Sequence, residues 1–245
     1  MKYLVTGGAG FIGSHIVERL LSEGNFVRVL DDFSSGKEDN IRSALKNKNF
    51  DLVRSDIKNY DVCERSTKAI DCVFHQAALR SVPKSMNDPY SYNDVNINGT
   101  LNLLRASLAN KVKRLVFASS SSVYGDTDVF PEREDHLPLL ISPYALSKLA
   151  GEYYCRIFSE HYKLPTVSLR YFNVFGPRQS LDDEYAVVIP KFIHCMLHDQ
   201  KPPIHGNGRQ SRDFTYIANV VEANIRAARA STASTGWRAK PIRRR

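Results

Sequence analysis

The opening two dozen residues restrict what this chain can fold into more than any other part of it. Lys2-Tyr3-Leu4-Val5-Thr6 has the character of a short buried strand. It leads straight into Gly7-Gly8-Ala9-Gly10-Phe11-Ile12-Gly13 and an amphipathic stretch ending near Glu23. Strand, glycine turn and helix form the context in which such glycines carry meaning. Gly8, Gly10 and Gly13 satisfy G-x-G-x-x-G, and Gly7, Gly10 and Gly13 satisfy G-x-x-G-x-x-G. Lacking side chains, the turn lets a pyrophosphate approach the backbone. The helix start at Phe11 and Ile12 offers unpaired N–H groups and a partial positive charge. A second apolar run over residues 26–30 ends in Asp31, 18 residues beyond Gly13. An acid there suits a ribose 2′-hydroxyl and repels a 2′-phosphate. Asp31-Asp32-Phe33 holds no neighbouring Arg, so NAD is favoured over NADP. Asp31 is expected at an exposed strand end.

The same alternation continues along the chain. Apolar runs at Asp51-Leu52-Val53, Cys72-Val73-Phe74-His75, Leu115-Val116-Phe117-Ala118 and Thr166-Val167-Ser168-Leu169 alternate with helical stretches near 59–69, 91–110 and 144–162. Repeated βαβ units imply an α/β fold with a parallel, doubly wound Rossmann sheet. Ligands of such sheets sit beyond the carboxyl ends of the strands, near the switch in strand order. Asp56, Ile57, Ala77, Ala78, Asn96 and the run Ser119-Ser120-Ser121-Ser122 all follow strands or begin helices where that crevice is expected.

Tyr144 and Lys148 stand four residues apart in Ser142-Pro143-Tyr144-Ala145-Leu146-Ser147-Lys148. On a helix they share a face, so the ammonium can favour ionisation of the phenol and turn it into a base. Taken alone, the spacing also fits an ordinary amphipathic helix start. Beside a nucleotide fingerprint it points to oxidoreductase chemistry.

Composition removes several other classes. The 245 residues are 42% hydrophobic, enough to bury a core, yet no apolar run reaches membrane-spanning length. The N-terminus lacks the regions of a signal peptide, so a cytoplasmic location is expected. Cys63, Cys72, Cys155 and Cys195 are far apart, with no C-x-x-C, and are read as reduced thiols with no metal. Seven basic residues and no acidic one fall within 226–245, which explains most of the net charge of +8. The remainder is nearly neutral, and no nucleic-acid-binding signature accompanies the basic end.

Longer stretches carry a specific likeness. Thr6 to Gly13, Ser119 to Gly125, Tyr144-x-x-x-Lys148 and Arg170-Tyr171-Phe172-Asn173-Val174-Phe175-Gly176-Pro177 resemble the extended short-chain dehydrogenases, the NAD-dependent sugar epimerase/dehydratase family. The resemblance covers residues 1 to about 228. His75-Gln76-Ala77-Ala78-Leu79, Ser81-Val82-Pro83-Lys84-Ser85 and Tyr185-Ala186-Val187-Val188-Ile189-Pro190 are most similar to UDP-hexose 4-epimerases, including those acting on UDP-N-acetylglucosamine. The likeness implies that Ser120 hydrogen-bonds the sugar 4-oxygen, Tyr144 exchanges its proton, and Lys148 holds the nicotinamide ribose while lowering the phenol pKa. It also implies sugar or diphosphate contacts from Lys84, Asn173 and Arg212, with Val187, Val188 and His205 near the uridine. Ser81, Ser121 and Ser122 complete the expected substrate side. Lys84 could equally be an ordinary loop charge, and Arg212 could pair with Asp213. Related 4,6-dehydratases carry Asp-Glu where this chain has Ser121-Ser122, and hydroxyls cannot replace those carboxylates near neutral pH. Decarboxylation and uronate epimerisation share the first oxidation and stay open. The implied partner is a UDP-sugar, and a homodimer stays open.

The resulting division is an NAD-binding Rossmann domain over 1–170 and an incomplete nucleotide-sugar-binding lobe over 171–228. Residues 229–245 are read as a basic, disordered tail, the aberrant end of a shortened enzyme, because they lack any apolar period.

Overall fold

A computed structural model describes residues 1–180, 188–204 and 206–230. Strands β1 (Lys2–Thr6), β2 (Phe26–Asp31), β3 (Phe50–Arg54), β4 (Cys72–His75), β5 (Arg114–Ser120) and β6 (Thr166–Tyr171) form one sheet. Its order is β3-β2-β1-β4-β5-β6, and every pairing is parallel. The order reverses between β1 and β4, which opens the crevice that parallel sheets use for ligands.

Helices α1 (Phe11–Ser22), α2 (Tyr60–Thr67), α3 (Val82–Asn87), α4 (Pro89–Tyr92), α5 (Gly99–Ala109) and α6 (Pro143–His161) make the crossovers. Beyond β6 come a short parallel ladder of β7 (Asn173–Phe175) and β8 (Phe214–Tyr216), and helices α7 (Val188–Leu197) and α8 (Ile217–Arg229). Two apolar layers sandwich the sheet. Val5, Ile16, Val17, Leu20, Val29, Phe74 and Val116 occupy one, and Leu4, Leu30, Val73, Leu103, Leu104, Leu115 and Phe117 the other. The period-two alternation along β1, β2, β4 and β5 sends neighbouring residues to opposite layers.

One expectation meets a different structure. The single helix read over 91–110 is α4 followed by a π-helical stretch, Asn93–Asn98, and then α5. An insertion of this kind rotates the side chains that follow it and is common near functional sites. Residues 217–228, read as part of the substrate lobe, form most of α8. Ile217, Val220, Val221, Ile225 and Ala227 join the core layer of α1. The helix runs on to Arg229, which pairs with Glu23 at the C-terminal cap of α1. Residues 231–245 of the expected tail lie outside the described residues.

Candidate active site

A cavity of about 510 Å³ lies along the carboxyl ends of the strands. Gly7, Gly10, Phe11, Ile12 and Gly13 line its first wall. The turn has no room for side chains. A Cβ at Gly13 would stand 2.1 Å from the Gly7 carbonyl oxygen, and one at Gly7, whose φ is +67°, would stand 2.7 Å from Ala77 N. Gly8 faces the other way, packed on Val29. Gly10 caps α1 without a side-chain hydrogen bond, and the first turn carries no acid, so the helix start keeps its affinity for an anion.

Asp31 reaches the cavity from the end of β2 but is only 6% exposed, contrary to the expected exposed strand end. Its carboxylate closes the glycine turn by accepting from Ala9 N and Phe33 N, both at 2.8 Å. Desolvation raises its pKa, and the two backbone N–H groups oppose that shift. Asp56, Ile57, Ala77 and Ala78 line the cavity as the strand-end rule predicts. Asn96 does not. It is 2% exposed, and its amide is committed to Leu79 N at 2.8 Å, Leu79 O at 2.9 Å and Ser147 Oγ at 2.9 Å. It braces the loop after β4 against α6.

The far wall belongs to α6, whose start is set by Ser142. This residue caps the helix by accepting from Ala145 N at 3.1 Å, and Pro143 occupies the first turn. Tyr144 and Lys148 line the cavity. The Tyr144 ring meets Tyr92 edge-on at 6.3 Å. Lys148 Nζ donates to Ala118 O at 2.8 Å and sits 5.9 Å from the Tyr144 ring centre. Burial pulls the Lys148 pKa down to about 8. It pushes the Tyr144 phenol up, opposed by a hydrogen bond with Ser120 and then by the charge of Arg80. The phenol is desolvated, and its strongest stabilising contact is a hydroxyl.

The substrate-side residues stand apart. Ser81 adopts φ +94° and caps α3 by accepting from Lys84 N at 3.3 Å, and Lys84 itself is exposed. Ser121 and Ser122 form the turn after β5, where Ser122 N donates to Ser120 Oγ at 3.1 Å. Asn173 Nδ2 donates to Asp213 O at 3.0 Å, exposed Arg212 donates to Ser211 O at 2.7 Å, and Val188 begins α7 half-exposed. None of these described residues lines the cavity. Val187 and His205 lie outside the described residues.

The structure adds residues that motif spacing did not reveal. Gln76, one place before Ala77, shares a polar cluster with Tyr171 at 3.2 Å and Asn224 at 3.3 Å. Its position at the end of β4 was the available signal. Arg178, Gln179 and Ser180 also line the cavity. They are tied over α1 by Arg178 to Glu18 at 2.6 Å and by His15 to Pro177 O at 3.0 Å. No local pattern announces a contact across 160 residues. His75 is structural, held between Thr6 and Thr100 at 2.8 Å each, and burial takes its pKa down to about 3.

Glycines that admit no Cβ, an uncapped helix start, a carboxylate at the end of β2 and a buried Lys together fit a dinucleotide. The model of the NAD dependent epimerase/dehydratase family matches residues 3–236. A UDP-N-acetylglucosamine 4-epimerase from Methanobrevibacter ruminantium, solved with UDP-N-acetylmuramic acid, is 45% identical with a TM-score of 0.90, over 94% of this chain and 73% of that one. A Thermus thermophilus UDP-glucose 4-epimerase, solved with NAD, is 39% identical with a TM-score of 0.84, over 94% and 75%. A UDP-N-acetyl-alpha-D-glucosaminuronate decarboxylase of Bacillus cytotoxicus is 38% identical over 231 residues, 92% of this chain and 70% of the relative.

Proposed function

Because the chain belongs to the NAD dependent epimerase/dehydratase family, we propose that it is a 4-epimerase of UDP-glucose or UDP-N-acetylglucosamine, working through a transient 4-keto sugar. The observation that carries this reading is that Tyr144 and Lys148 line the cavity that begins at the glycine turn, with Ser120 hydrogen-bonded to the Tyr144 phenol. NAD, when bound, accepts a hydride from the sugar C4 and returns it. Tyr144 takes the proton of the 4-hydroxyl and later gives it back as general base and then general acid. Ser120 donates to the phenol oxygen and so favours the phenolate against desolvation. Lys148 gives one N–H to Ala118 O, leaving donors for the cofactor's ribose hydroxyls. Inversion at C4 would require the keto sugar to turn within the site so that the hydride returns to its opposite face, while Tyr144 gives the proton back to the 4-oxygen.

Lys84, Asn173 and Arg212 are assigned to the sugar diphosphate on resemblance, with Ser81, Ser121 and Ser122 beside them. Ser121 and Ser122 offer no carboxylate, which argues against dehydration. The test incubates the protein separately with UDP-glucose, UDP-N-acetylglucosamine and UDP-glucuronate, following C4 epimers by NMR and single-turnover NADH absorbance. Interconversion of a UDP-hexose supports the proposal. Release of CO2 from the uronate without hexose interconversion replaces it with decarboxylation, and NAD binding without any reduction leaves a binding protein lacking turnover.

A further inference from the structure

A buried ion pair behind the catalytic strand gives Ser119 a defined hydrogen-bonding direction. Glu152, one turn beyond Lys148 on α6, accepts three hydrogen bonds through its carboxylate. They come from Ser119 Oγ at 2.5 Å, Arg170 Nε at 2.9 Å and Arg170 Nη2 at 2.8 Å. The Arg170 and Glu152 side chains are 15% and 14% exposed. The guanidinium also lies over the Tyr124 ring at 4.7 Å. Ser119 and Arg170 are register partners across β5 and β6, so the cluster joins α6, β5 and β6 at one point. A buried pair of this kind is weak evidence for net stability, but its two-pronged geometry sets directions firmly.

Both Glu152 oxygens accept from Arg170, and the Ser119 hydroxyl spends its single proton on Glu152 Oε1. The remaining lone pairs of Ser119 can therefore only receive a donor. Ser119 lines the cavity together with Ala118, Tyr144, Lys148 and Tyr171, whereas Glu152 does not. These neighbours mark the end where hydride chemistry occurs, opposite the Asp31 end. We propose that Ser119 accepts a hydrogen bond from the carboxamide N–H of the nicotinamide of NAD, and that Glu152 and Arg170 are positioning residues that lock its hydroxyl polarity. The inference rests on NAD as cofactor and is independent of which sugar reacts.

Calorimetric titration with NAD and with ADP-ribose, which lacks nicotinamide, tests it in the wild type, Ser119→Ala, Glu152→Gln and the double variant. One neutral hydrogen bond corresponds to roughly 3- to 10-fold in affinity. Ser119→Ala is expected to weaken NAD by that factor and leave ADP-ribose within about twofold. Glu152→Gln is expected to do the same, because a Gln amide can donate to Ser119 and reverse its polarity. The double variant should lose no more than either single one, as for residues acting through one contact. Unchanged NAD affinity in Ser119→Ala, equal losses for both ligands, or additive losses overturn the proposal. If Glu152→Gln does not fold, the NAD against ADP-ribose split in Ser119→Ala decides. A wild type that binds neither ligand overturns both this inference and the cofactor assignment.

Discussion

Replacing Lys148 by Met is expected to stabilise the NAD-free protein near neutral pH while removing its function. Lys148 is 5% exposed, makes its hydrogen bond to Ala118 O, and lies 5.2 Å from the Phe117 ring centre. Burial takes its pKa from 10.5 to about 8. Between these values the unfolded chain holds a proton that the folded protein has released, so stability rises with pH through that window. Below it, the full penalty of the buried charge is present. At about 1.4 kcal/mol for each pKa unit, that penalty is about 3 kcal/mol. Met removes the charge at similar volume but leaves Ala118 O without its donor, at a cost of about 1 kcal/mol. The variant should therefore be more stable by about 2 kcal/mol at about pH 6.5. At about pH 9.5 the wild-type penalty falls to about 1 kcal/mol, and the advantage all but disappears.

Urea unfolding of both NAD-free proteins at the two pH values measures this. The comparison must be a difference between proteins. Burial pushes Cys63, Cys72 and Cys155 up to about 12, so they cost stability as pH rises above the ordinary thiol value. That background is common to both and cancels. A variant less stable than wild type near pH 6.5, or a difference that does not narrow with pH, would refute the reasoning.

Three further outcomes are expected. Tyr144→Phe should lower turnover by about 10²- to 10⁴-fold with NAD affinity nearly unchanged, and a kinetic loss below about tenfold would assign the proton to another group. Asp31→Ala should narrow the preference for NAD over NADP in binding assays. It should also lower stability by about 1–3 kcal/mol in urea titrations, since Ala9 N and Phe33 N lose their acceptor. Gly13→Ala forces the glycine turn open, because its Cβ would stand 2.1 Å from the Gly7 oxygen. A calorimetric loss of NAD affinity of at least about tenfold is expected, and affinity within about twofold of wild type would contradict a turn shaped to the pyrophosphate.

Much of this protein was legible in its sequence, because local chemistry sets local structure. The glycine spacing after Lys2–Thr6 forces a tight turn into a helix, alternating apolar runs force a covered parallel sheet, and Ser142-Pro143 starts α6 with Tyr144 and Lys148 on one face. Those features follow from steric freedom, periodicity and capping, each of which spans only a few residues. What tertiary structure decided is where the charges and polar atoms end up. Asp31 is buried because the turn folds back onto its carboxylate, Asn96 is consumed by Leu79 and Ser147, and burial sets the Tyr144 and Lys148 ionisation. Arg178 reaches α1 across 160 residues, and Glu152 meets Ser119 and Arg170 where three elements converge. Desolvation and long-range hydrogen bonds depend on which surfaces meet. No window of sequence contains that information, because it exists only once the sheet has brought distant segments together.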